Sequence, residues 1–120
     1  MRKLIVLFLA LSLPSIHILA QKIDSIYFHL YTDSLKKGVH NYINVDGKME
    51  NGRFFPLDQR QIIFWSDAGS WEGNDLIIDR NFQGEAIKVT ATLRANPAIK
   101  KEILIYIKKK PDPDVLPPLK

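Results

Sequence analysis

The sequence has 120 residues, 46% of them hydrophobic, with 17 Lys+Arg against 13 Asp+Glu and no cysteine. That length allows one domain and excludes a multi-domain enzyme. The missing thiols exclude a disulfide scaffold, a cysteine nucleophile, thiolate zinc sites and an N-terminal lipid-anchored cysteine.

Residues 1–20 read as a secretory signal peptide. Arg2 and Lys3 supply the positive start, Leu4 to Leu13 the apolar stretch, and Pro14 ends it. A short segment then leads to Ala20, whose small side chain suits cleavage before Gln21, although Ile18 is larger than signal peptidase prefers. The alternative is an uncleaved anchor, but the apolar run falls well short of the ~20 residues a membrane span needs. Removal of Arg2 and Lys3 takes the formal net charge from +4 to +2. A charge of that size serves solubility and gives no support for nucleic-acid binding.

Downstream, hydrophobic residues alternate with a period of two, as on a half-buried strand. Ile26, Phe28 and Leu30 form the first such set. Thr32 to Gly38 has room for one helical turn capped by Gly38. Val39, Asn41, Ile43 and Val45 then alternate with His40, Tyr42 and Asn44. Asp46-Gly47 and Asn51-Gly52 are hairpin-turn dipeptides. Arg53 to Phe55 is a weaker segment that Pro56 should end. Gln61 to Ser66 and Asp75 to Asp79 suit buried strands. Ile87, Val89, Ala91 and Leu93 give the cleanest alternation, and Ile103, Ile105 and Ile107 the last. About seven short strands with regular turn signals predict an all-β sandwich over residues 21–108. Residues 109–120 hold Pro111, Pro113, Pro117 and Pro118, so an extended proline-rich tail is expected there, either a tether or a docking peptide.

The order Tyr42-Ile43-Asn44-Val45-Asp46-Gly47-Lys48, Ile62-Ile63-Phe64 with Ser66 and Gly69, Ile87 to Leu93, and Ile103 to Ile107 resembles the bacterial immunoglobulin-like domains of invasins and adhesins. The resemblance covers roughly residues 23–108. It implies a single Ig-like Greek-key β-sandwich in which Asp46-Gly47-Lys48 closes a hairpin. It supplies no catalytic residues to carry over.

Residues able to do chemistry are few. His29 and His40 lack any companion motif for nucleophilic catalysis. Asp112 and Asp114 are close in sequence but sit in the proline tail, which cannot enclose a sugar. Asn74, Asp75 and Asp79, with Asp46, could offer oxygens to calcium, but the same residue types serve turns. The expectation is therefore a non-enzymatic module without metal or cofactor.

Aromatic residues are the stronger signal. Trp71, in the Ser70-Trp71-Glu72-Gly73 turn, is the leading candidate for an exposed contact, with Tyr27 or Tyr31 beside it. The opposing reading has Trp65 or Trp71 plugging the end of the sandwich. Lys108, Lys109 and Lys110, with Lys100 and Lys101, bracket the last strand. They either block edge-to-edge pairing or face an anionic surface. The expected partner is another envelope or secreted protein, in the periplasm or outside the cell; the alternatives are a carbohydrate-binding module using the exposed aromatics and a purely structural envelope protein.

Overall fold

The computed structural model describes residues 22–109. Within them the chain is all-β, with ten strands and no helix: β1 Ile23–Phe28, β2 Ser34–Leu35, β3 His40–Tyr42, β4 Val45–Met49, β5 Phe54–Leu57, β6 Ile62–Ser66, β7 Ser70–Glu72, β8 Asp75–Ile77, β9 Ala86–Leu93 and β10 Lys100–Ile107. The predicted leader, with Ala20 and Gln21, and the tail from Lys110 onward lie outside the described residues. Three sheets form, in the orders β1-β4-β5, β2-β10-β9-β6 and β3-β8-β7. Every pairing is antiparallel except the short β2–β10 contact, where Ser34 lies opposite Tyr106.

β9 shows how the sheets stack. Its alternate residues Ile87, Val89, Ala91 and Leu93 are all buried. Ile87 and Val89 pack with Leu35, Ile43, Leu76, Ile78, Ile105 and Ile107, whereas Ala91 and Leu93 pack with Ile26, Val45, Leu57 and Ile62. The four-stranded sheet thus covers both three-stranded sheets, and the arrangement is sandwich-like. With no disulfide, this burial carries the stability, at about 1.5–3 kcal/mol for each fully buried aliphatic side chain.

β3 and β4 join the two smaller sheets. The sequence suggested one strand from Val39 to Val45, but pairing switches at Ile43-Asn44, from β8 on one side to β1 and β5 on the other. Asn74 stitches this break. Its buried Nδ2 donates to the carbonyls of Ile43 and Leu57, 3.1 Å each, and its own carbonyl accepts from Ile43 N at 2.9 Å.

Three further expectations are corrected. Asp46-Gly47 is not a turn: both residues lie inside β4, Gly47 opposite Phe55 of β5. Leu57 Cδ1 sits 2.8 Å from where a Cβ on Gly47 would stand, so the glycine admits a neighbouring side chain. The hairpin closes later, around Gly52, whose φ of +87° few other residues accept and whose N donates to Met49 O at 2.8 Å. Next, β5 runs through Pro56 rather than ending before it, because β5 is an edge strand and can spare one donor. Finally, the segment Thr32–Gly38 forms no helical turn. It carries the short strand β2 instead, and Asn41 ties the turn that follows, its Nδ2 donating to Lys36 O at 2.9 Å and its Oδ1 accepting from Lys36 N at 2.8 Å.

Candidate functional site

The outer face of the layer containing β1, β3, β4 and β5 collects most of the exposed aromatic rings. Ile26 of β1 is buried, so Tyr27 points outward, opposite Asp46 of β4. Its ring meets Phe54 of β5 at 6.0 Å between centroids, and Lys101 Nζ lies 4.8 Å above it. A cation over an exposed ring contributes about 0.5–1 kcal/mol. Just beyond β1, His29 contacts Tyr31 at 5.6 Å, and Tyr31 stacks on Tyr42 of β3 at 6.1 Å with planes 10° apart. Tyr31 is 69% exposed and Tyr42 49%.

Asp46 links the two halves of this face. Its Oδ1 accepts from Asn44 Nδ2 at 2.9 Å, and its Oδ2 lies 3.0 Å from His29 Nδ1. A carboxylate only accepts, so the proton of this contact sits on His29 Nδ1. His40 repeats the device, its Nδ1 lying 3.0 Å from Asp75 Oδ2. The two His–Asp pairs flank the tyrosine stack. Burial, followed by Tyr31 and then Asp75, Asp46 and Asp58, pushes the Tyr42 hydroxyl above the ordinary phenol value. The face thus offers ring surfaces, imidazole nitrogens and phenol hydroxyls within a few ångströms. Such groups suit non-covalent recognition.

The expected contact residues divide. Tyr27 and Tyr31 share this face, but Trp71 does not join them. It is half-buried against the core, its ring stacked on Phe64 at 4.7 Å and 15°, and its Nε1 donates to Ser66 Oγ at 3.0 Å. Trp65 is the exposed indole, at 52%, on the outer face of the four-stranded sheet with Ile63, Leu104 and Tyr106. Lys108 lines a shallow open depression with Tyr31, Leu30, Asp33 and Lys36. Lys109 pairs with Glu85 at 3.7 Å, and Lys110 lies outside the described residues.

The residues weighed for calcium hold separate structural positions: Asp46 and Asp75 bind histidines, Asn74 the strand break, and Asp79 the backbone of Asn81. Among the described residues no three His, Asp or Glu converge as a metal site would need. None of the helices among them is long and apolar enough to cross a membrane, since the described chain has none at all. Sequence reasoning missed Tyr42, although it shares the parity of His40 on β3 and therefore its face.

No family model matches the chain, and neither curated proteins nor solved structures include a match.

Proposed function

We propose that this chain is an exported, non-enzymatic immunoglobulin-like module of the bacterial cell envelope, periplasmic or extracellular, that binds another envelope or secreted protein. The observation that supports this reading is the row of exposed rings from Phe54 through Tyr27 to Tyr31 and Tyr42. Monomeric surfaces rarely gather so many apolar groups on one face without a partner to cover them. Tyrosine is also favoured at interfaces, because its ring buries area at low entropic cost while its hydroxyl keeps a hydrogen bond. The leader-like residues 1–20 support export.

In-cell crosslinking of a C-terminally tagged chain, followed by identification of what co-purifies, tests the reading. A discrete protein partner that is lost in a Tyr31→Ala, Tyr42→Ala double variant supports it. Capture that is unchanged in that variant removes the aromatic face from the account.

A glycan ligand is the second reading, favoured by the openness of the Tyr31 ring. Aromatic faces stack on sugar rings as readily as on side chains. Calorimetric titration with envelope glycans separates the two, because heat that disappears in Tyr31→Ala would assign the face to sugar.

A further inference from the structure

Open sheet edges are ordinarily blunted, and most edges of this protein are. β1 carries Asp24 and an irregular register between Ile23 and Ser25. β5 carries Pro56, β7 is three residues long and ends in Glu72, and β10 begins with two lysines. β10 is also capped by β2. These are the devices that keep strands from pairing with other chains. β6 has none of them. Ile-Ile-Phe-Trp-Ser contains no charge and no proline, and its register with β9 is unbroken. Among the described residues it pairs with β9 on one side only.

We infer that the free edge of β6 is an interface between two copies of this chain, which pair antiparallel about a two-fold axis at Phe64. The backbone geometry permits it. Arg94 N donates to Gln61 O at 2.8 Å and Asp67 N to Lys88 O at 3.2 Å, on either side of β6. Antiparallel ladders bond every second residue, so Ile63 and Trp65 are the residues of β6 that bond β9. The N–H and C=O of Phe64 therefore face the open side, with the Ile62 carbonyl and the Ser66 N–H. Ile62 N is already taken by Asp58 O, at 2.8 Å. Two copies related by the two-fold axis would exchange bonds between their Phe64 residues, and Ser66 N–H of each would donate to Ile62 C=O of the other.

The side chains select a second copy as the occupant. In this register Ile63 of one copy lies opposite Trp65 of the other, twice. These are the two exposed apolar residues of β6, at 43% and 52%. Aromatic residues opposite β-branched ones are favourable cross-strand pairs. A two-fold axis requires a surface that complements itself, and this strand does so at both positions. Pairing joins two four-stranded sheets into one continuous sheet and leaves the Tyr27–Tyr31–Tyr42 face, on the other layer, free for its own partner.

Sedimentation of the purified chain over a concentration series tests the inference, together with cysteine pairing in a protein that has no native thiol. Residues 63 and 65 of opposite copies form a non-hydrogen-bonded pair with Cα atoms about 4.5 Å apart, within disulfide reach. Two copies of residue 63 are diagonal neighbours at about 7–8 Å, beyond it. Under mild oxidation, a mixture of Ile63→Cys and Trp65→Cys chains should give a crosslinked dimer that neither variant gives alone. Trp65→Lys should abolish the concentration-dependent dimer and leave unchanged the melting temperature measured at concentrations where the chain is monomeric. A chain that stays monomeric up to about 1 mM would overturn the inference. So would a dimer indifferent to Trp65→Lys, or single-cysteine variants that crosslink as readily as the mixture.

Discussion

Trp71 lies flat on Phe64, ring centroids 4.7 Å apart, and closes one side of the core between β6 and β7. Trp71 lies in the short strand β7 rather than in a turn; its indole packs toward the core, and Ser66 Oγ accepts from its N–H. Trp71→Ala should therefore lower stability by about 2–4 kcal/mol in urea unfolding, since it opens a cavity and orphans a contact. Trp65→Ala, exposed in the single chain, should change the stability of the dilute monomer by no more than about 0.5 kcal/mol.

Asn74 holds together two half-sheets that share one bent strand. Replacing it with alanine leaves the Ile43 and Leu57 carbonyls without their donor in a dry environment. A loss of about 2–3 kcal/mol is expected, measured as a lower urea midpoint with an unchanged slope.

Gly47 allows Leu57 to close over β4. A methyl group there would stand 2.8 Å from Leu57 Cδ1, so Gly47→Ala should cost about 1–3 kcal/mol through overpacking. Leu57→Ala in the same chain should recover part of the Gly47→Ala penalty, which a double-mutant cycle would read out as coupling between the two sites.

Tyr42 resists ionisation because it is partly buried and lies near Tyr31 and the Asp75 and Asp46 carboxylates. Its folded hydroxyl titrates above the unfolded one. The unfolded state therefore releases that proton first, and the contribution of Tyr42 to stability is complete below about pH 10 and lost as pH rises through the folded value. Tyr42→Phe should remove a high-pH component of the tyrosinate absorbance and flatten the alkaline fall in stability.

Period-two alternation made the all-β class and most of the core legible. Ile87 through Leu93 and Ile105 with Ile107 alternate in the sequence as they do in the fold. Long-range events were not legible. Nothing local distinguishes the Asp46-Gly47 pair from a hairpin turn; its place inside β4 depends on Leu57, ten residues later. The break at Ile43-Asn44 likewise depends on Asn74, a partner distant in sequence. Tyr27 and Tyr31 could be singled out because they alternate with Ile26, Phe28 and Leu30 and the chain has more aromatics than one core can hold. Their meeting with Tyr42 and Phe54 required the sheet order, which no single strand encodes.

The most direct test of the account is site-specific photocrosslinking in cells, from a photoreactive residue placed at Tyr31 or at Tyr42 of the tagged chain. The same discrete protein adduct is expected from both positions and none from Asn51, in the exposed hairpin turn at the far end of β4. Adducts that form equally from Asn51, or no protein adduct from Tyr31 and Tyr42, would contradict it.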